Sequence, residues 1–382
     1  MTTDAPLVAP RGLKGLIVAD TEVGDVRGRE GFYHYREYSA PDLARQRTFE
    51  DVWYLLFEGR LPDGAERAAF TRETAALRGL PPTLLDALPA IARSETVPLA
   101  SLRTAVSQLA ALEDMPPVYD ADPATIRANA LRICSAVPVL VAALHRCAAG
   151  RAPIAPRPDL PAAANFLFMI DGAEPDPAHA RAIEQYLILT IDHGFNASTF
   201  TARVVASTGA DLGSAVVAAL GALSGPLHGG APSRALDTLD AIGNPERTDE
   251  WVRDAVASGA RIMGFGHPVY RTADPRSVLL REIAESLGGG LVDFAGQVEV
   301  TIEKVLAELK PGRELHTNVE YYAGVVMELC GLPRSLFTPT FAASRVVGWC
   351  SHVMEQARDS AIIRPSARYV GPPAPVPVPD GG

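Results

Sequence analysis

Four cysteines in 382 residues, Cys134, Cys147, Cys330 and Cys350, are too few and too scattered for a disulfide framework or a C-x-x-C metal site. They read as buried thiols. Aromatic residues are scarce at 7%, and no run of about 20 apolar residues marks a bilayer-spanning segment. The opening residues MTTDAPLVAPRGLKG lack the apolar core of a secretory signal, so a cytoplasmic protein is expected. Positive charge is also in deficit. With 35 Lys and Arg against 45 Asp and Glu, the net charge of −10 excludes a general basic surface for nucleic acid or an anionic membrane. Any anionic ligand must meet a local basic pocket. No repeat with a period of roughly 20 to 50 residues is visible, which removes solenoids and propellers.

What is present is a helical chain. The composition, 47% hydrophobic and 21% charged and rich in Ala and Leu, is that of a globular helical core large enough for two lobes. Apolar residues recur at three- and four-residue steps over 123–149, 177–192, 211–224, 247–261, 276–287, 293–309 and 335–358, as in Phe294, Val298, Ile302, Val305 and Leu309. Breakers such as Pro116-Pro117, Gly225-Pro226 and Pro311-Gly312 separate these segments. Alternation at Leu16-Ile17-Val18 and Phe32-Tyr33 predicts strands only within 13–38, as a small N-terminal hairpin. The closing GPPAPVPVPDGG predicts an extended tail.

Four polar clusters interrupt the apolar C-terminal half: Asp192-His193-Gly194-Phe195-Asn196; Gly225-Pro226-Leu227-His228-Gly229-Gly230; Gly264-Phe265-Gly266-His267-Pro268-Val269-Tyr270-Arg271 with Asp274-Pro275-Arg276; and Asn318-Val319-Glu320-Tyr321. Each falls at a helix boundary, where loops on rigid elements carry binding and catalytic groups. Singly, each has a structural explanation. His193 fits a hydrogen-bonded core histidine, and His228 fits a helix C-cap before Gly229. Glu320, behind an Asn318 cap, fits a carboxylate that complements a helix dipole. Arg345 and Arg364 fit solvated surface charges. Together they supply two histidine donors, a carboxylate base and several arginines, the set needed to condense a carbon acid with a dicarboxylate.

The succession from Gly225-Pro226-Leu227-His228-Gly229 through Gly266-His267, Asp274-Pro275-Arg276 and Asn318-Val319-Glu320 to Ser344-Arg345 resembles the citrate synthase family, which includes 2-methylcitrate synthases. The resemblance extends from about Gly12 to Val370, with Tyr35-Arg36-Glu37-Tyr38 in its opening hairpin and Ile363-Arg364-Pro365 in its C-terminal arginine motif. It implies an all-α fold with a large domain of 1–228 and 331–382 and a smaller domain of 229–330 that closes over the substrates.

It further implies a reaction. Glu320 would take a proton from the methyl group of acetyl-CoA, neutral His228 would donate to the enolate oxygen, and His267 would donate to the carbonyl of oxaloacetate. His193 would orient the keto acid, and Arg276, Arg345 and Arg364 would clamp its carboxylates, the last from a partner subunit of a homodimer. Ile262, Met263, Gly264, Phe265 and Gly266 match the stretch that recognises the adenine of CoA, and Arg271 matches a phosphate contact. No tightly bound cofactor or metal is expected. One position departs from the family, whose base is aspartate in Asn-Val-Asp where this chain has Glu320. Three other readings compete: a 2-methylcitrate synthase using propionyl-CoA, a non-catalytic binder of CoA or a dicarboxylate, and a metal site on His316 and Glu320.

Overall fold

Aspartate and asparagine start the helices of this chain. At Asp122-Pro123, Asp176-Pro177 and Asp274-Pro275 the aspartate side chain accepts backbone N–H groups of the first turn, while proline takes a position whose own N–H would lack a partner. Asn196, Asp211 and Asn318 cap three more. The computed structural model describes residues 7–94, 97–226, 228, 232–267, 269–359 and 361–378, with sixteen α-helices and a small N-terminal sheet among them. Leu227, Gly229, Gly230 and Pro268 of the sequence motifs lie outside the described residues. The expected helices are found as Pro123–Ala148, Pro177–Thr190, Leu212–Leu223, Thr248–Ala257, Pro275–Leu287, Gly290–Leu309 and Phe337–Gln356.

The core centres on Pro123–Ala148, which packs along Phe337–Gln356. Contrary to the sequence expectation, Pro123–Ala148 is long and apolar enough to cross a bilayer, with a mean hydropathy of 1.5 over its most apolar window. That window is 72% buried inside the protein, so its apolar surface is spent on neighbouring helices. All four cysteines are buried and free.

The N-terminal sheet has three antiparallel strands: β1 (Gly24–Arg27), β2 (Phe32–Tyr35) and β3 (Tyr38–Ser39), in the order β1-β2-β3 with Gly24 opposite Tyr35 and Arg27 opposite Phe32. The expected hairpin thus gains a short third strand. Leu16-Ile17-Val18 forms no strand, and these residues are exposed. Tyr33 and Tyr35 turn inward from β2, and their hydroxyls donate to the carbonyls of Leu189 and Ile188 at 3.1 and 2.9 Å. The turn after β1 touches a distant loop, with Arg271 N–H donating to the Gly28 carbonyl at 3.0 Å. A Cβ at Gly28 would lie 2.3 Å from the Val269 carbonyl oxygen, so glycine permits this approach.

Helices between residues 232 and 329 pack chiefly on one another: Pro275–Leu287 against Val319–Leu329, Thr248–Ala257 against Gly290–Leu309, and Pro232–Ile242 against Val319–Leu329. This group meets the remaining helices chiefly along Pro177–Thr190, with smaller contacts to Phe337–Gln356 and Ala40–Gln46. The residues after Gln356 that are described form no helix or strand.

Candidate active site

A cavity of about 370 Å³ opens where these groups of helices meet. His193, His228, His267, Arg276, Glu320 and Arg345 all line it, so six of the seven side chains expected to act on substrate converge from five separate segments. Arg364 does not. It is exposed on the segment after the last helix and lies outside this cavity. A roomier cleft of about 620 Å³ beside Phe57, Tyr119 and Met354 contains no histidine, and its Arg127 is engaged by Glu58 and Glu73.

His228 sits just beyond Leu212–Leu223, and its Nε2 accepts the Ser198 N–H at 3.3 Å, with Ser198 Oγ 2.8 Å away. That backbone donor requires a lone pair on Nε2, which leaves the proton on Nδ1. Ser198 is itself fixed, since its Oγ lies 2.8 Å from Asn196 Oδ1 and accepts the Trp349 indole N–H at 3.1 Å. Burial and the nearby Arg345 push the His228 pKa down to about 4. The ring is neutral at pH 7.

His267 is oriented in the opposite sense. Its Nδ1 accepts the backbone N–H groups of Val269 and Tyr270 at 3.0 and 3.2 Å, so the proton resides on Nε2. Nε2 lies 3.2 Å from Arg276 Nη2. With the proton on Nε2 this contact sets two N–H donors against each other, and an anionic or carbonyl oxygen seated between them would accept both. Burial, reinforced by Arg276 and partly opposed by Asp274, lowers the His267 pKa to about 4. His193, whose Nε2 is 2.9 Å from the Tyr270 hydroxyl, is held well below the usual histidine range by burial and by Arg276, Arg345 and His267.

Arg276 is buried in a paired state. Asp274 accepts its Nε at 3.0 Å and its Nη2 at 2.7 Å. Burial disfavours the guanidinium charge, but Asp274 outweighs it and the Arg276 pKa is raised. Arg345 donates its Nε to the Thr190 carbonyl at 2.8 Å and stacks its guanidinium 4.6 Å over Phe341, one helical turn earlier. Its Nη2 has no partner among the described residues, so the cavity holds a cationic donor suited to a carboxylate. Glu320 is half-buried in the first turn of Val319–Leu329. His316 pairs with Glu303 at 3.1 Å, and among the described residues no group of three or more His, Cys, Asp or Glu side chains is placed to hold a metal ion.

The family model for the citrate synthase C-terminal domain matches residues 12–366. The chain belongs to the citrate synthase family. It is 40% identical to a citrate synthase of Haloferax volcanii over 364 residues, covering 94% of this chain and 95% of that protein. It is equally 40% identical to a 2-methylcitrate synthase of Mycobacterium tuberculosis over 362 residues, covering 94% and 90% of the two chains. A citrate synthase from Thermoplasma acidophilum, solved as a ternary complex with carboxymethyl coenzyme A and oxaloacetate, superposes with a TM-score of 0.89 at 30% identity over 97% of this chain and 98% of that one.

The family stretch Ile262 to Gly266 runs beside the cavity. Phe265 packs edge-on against Tyr321 with ring centroids 5.2 Å apart, and only Gly266 of the stretch lines the cavity wall. The Arg271 side chain is exposed, while its backbone is tied to Gly28. Sequence reasoning missed Tyr186, Ser198, Phe341 and Trp349. Phe341 had one legible signal, its four-residue spacing from Arg345 on a helix, whereas Ser198 reads as any polar residue after an Asn cap.

The depressed histidine pKa values carry an expected outcome. The rate of a citrate synthase built this way should show no inflection near pH 6.5, because His228 and His267 take up protons only as pH falls toward about 4. Unfolded histidines protonate first. The fold therefore loses stability as pH drops from about 6.5 toward 4, the unfolded chain binding more protons over that interval. A pH–rate profile with a histidine-like step near 6.5 would contradict the assignment.

Proposed function

We propose that this citrate synthase family member condenses acetyl-CoA with oxaloacetate to give citrate and CoA. The observation that carries the reading is the convergence of Glu320, neutral His228 and the His267–Arg276 donor pair on one cavity with Arg345. Glu320 takes a methyl proton, and the C–H electrons move into an enolate whose oxygen receives the His228 Nδ1–H. The enolate carbon then attacks the keto carbon of oxaloacetate. Its carbonyl oxygen gains negative charge against His267 Nε2–H and accepts a proton there. Arg276 and Arg345 bind the two carboxylates as permanent cations. Citryl-CoA forms, and water cleaves its thioester to release CoA.

A neutral imidazole suits this task. It stabilises developing charge without competing with Glu320 for the proton, and a donor of this kind is worth about 10²- to 10³-fold in rate. The chemical class is transfer of an acyl group that becomes an alkyl group. Release of free CoA thiol from acetyl-CoA and oxaloacetate tests it, and no release at saturating substrates would favour a non-catalytic binder.

Two features support 2-methylcitrate synthesis as the second reading. The identity to a 2-methylcitrate synthase is as high as to a citrate synthase, and the small Ala323 follows Glu320 by one turn on the cavity wall. One extra methylene changes discrimination by only about 1–3 kcal/mol. The ratio of kcat/KM for acetyl-CoA and propionyl-CoA decides between them.

We also propose that residues 229–330 close as a small domain onto 1–228 and 331–382, and that Arg364 completes the carboxylate clamp of a partner in a homodimer. The exposed position of Arg364 supports the second part. Closure would exclude water from the enolate. Small-angle X-ray scattering, free and with both substrates, reads the dimer mass and the contraction together; a monomer of constant radius would refute both.

A further inference from the structure

Two loops that bear reacting groups are joined by a short ladder. Phe265 and Thr317 form an antiparallel bridge, Gly266 N–H donates to the His316 carbonyl at 2.8 Å, and Asn318 N–H donates to the Gly264 carbonyl at 2.9 Å. Gly266 adopts φ +81°, a left-handed conformation that glycine reaches without strain, and this brings the chain round to His267. The last rung is a side chain. Asn318 Oδ1 accepts the Glu320 N–H at 3.0 Å, and Asn318 Nδ2 donates to the Gly266 carbonyl at 3.0 Å.

Only one orientation of the Asn318 amide satisfies both contacts, because a flip would set NH₂ against an N–H and oxygen against a carbonyl. One planar group therefore spans from the backbone of Glu320 to the peptide that precedes His267. We propose that Asn318 is a positioning residue that fixes the base-bearing turn of Glu320 relative to His267, beyond its service as a helix cap. The role rests on the proposed reaction, in which Glu320 removes the proton and His267 faces the second substrate. Neither Asn318 function is visible from the other: the cap needs only an acceptor, and the link needs a donor on the same short side chain.

That difference makes the role testable. Asn, Asp and Ser are nearly equivalent as N-caps, but an Asp carboxylate has no proton to donate to the Gly266 carbonyl, and the single Oγ of Ser, on a side chain one atom shorter, cannot occupy both positions held by the Asn318 amide oxygen and nitrogen. Asn318→Ser and Asn318→Asp should therefore leave the melting temperature close to that of the unaltered protein. Thiol release should fall about tenfold to a hundredfold in kcat, the scale of a misplacement near 1 Å, with KM for oxaloacetate changed less than about twofold. Wild-type kcat in Asn318→Ser would overturn the positioning role and leave a simple cap. A loss confined to Asn318→Asp would also overturn it, showing repulsion between carboxylates instead. So would a rise in KM matching the fall in kcat, which marks general disruption of the site. Absence of thiol release in the unaltered protein would instead overturn the reaction, and this role with it.

Discussion

Glu320→Gln is expected to lower kcat for thiol release by about 10²- to 10⁴-fold, the range for loss of a positioned general base, while oxaloacetate still binds. The amide keeps the shape of the side chain and loses its capacity to take a proton. Oxaloacetate affinity should persist, because its proposed partners His193, His267, Arg276 and Arg345 line the cavity from other segments. Glu320→Asp is the informative companion. It brings in the residue that the family resemblance expects but withdraws the carboxylate by roughly 1 Å, and a displacement of that size costs about a hundredfold. Steady-state kinetics with calorimetric titration of oxaloacetate separates the two effects. A Glu320→Gln rate within tenfold of the unaltered protein would remove Glu320 from the role of base.

Asp274→Ala should destabilise the fold by about 3–5 kcal/mol, the cost of leaving one member of a buried ion pair uncompensated. Asp274 and Arg276 are 1% and 3% exposed, so water cannot replace the lost carboxylate without opening the structure. The same carboxylate accepts the Arg276 backbone N–H as the cap of Pro275–Leu287 and the Val319 N–H at 3.2 Å. Its removal thus also deletes one of the hydrogen bonds that hold the turn carrying Glu320 to the helix carrying Arg276. Activity should fall together with stability, whereas Glu320→Gln should change activity alone. Thermal unfolding of both variants checks the contrast. Destabilisation of Asp274→Ala below about 1 kcal/mol would show that Arg276 is neutralised by some other means.

Much of the architecture was legible because helix periodicity is local. Phe294 to Leu309 and the 276–287 segment each announce their elements by apolar spacing, and both are found where expected. The N-terminal sheet was less legible. Leu16-Ile17-Val18 alternates too briefly to distinguish a strand from an exposed segment, since a strand exists only when another chain segment pairs with it. Apolar length alone does not say whether lipid or protein covers a helix: Pro123–Ala148 is long and apolar enough to cross a bilayer, yet 72% of its most apolar window is buried inside the protein.

For the site, the residue types and their order carried the family resemblance, so His193, His228, His267, Arg276, Glu320 and Arg345 could be named without coordinates. Their states could not. The tautomer of His228 depends on a backbone N–H of Ser198, thirty positions away, and that of His267 on N–H groups in its own turn. The charge on buried Arg276 is sustained by Asp274, and the free donor on Arg345 exists because Thr190 takes only Nε. Sequence by itself therefore determined the elements, the family and the inventory of reacting groups. Tertiary structure alone decided which nitrogen bears each proton and which cation remains open to a ligand, because those properties follow from burial and from partners brought together by folding.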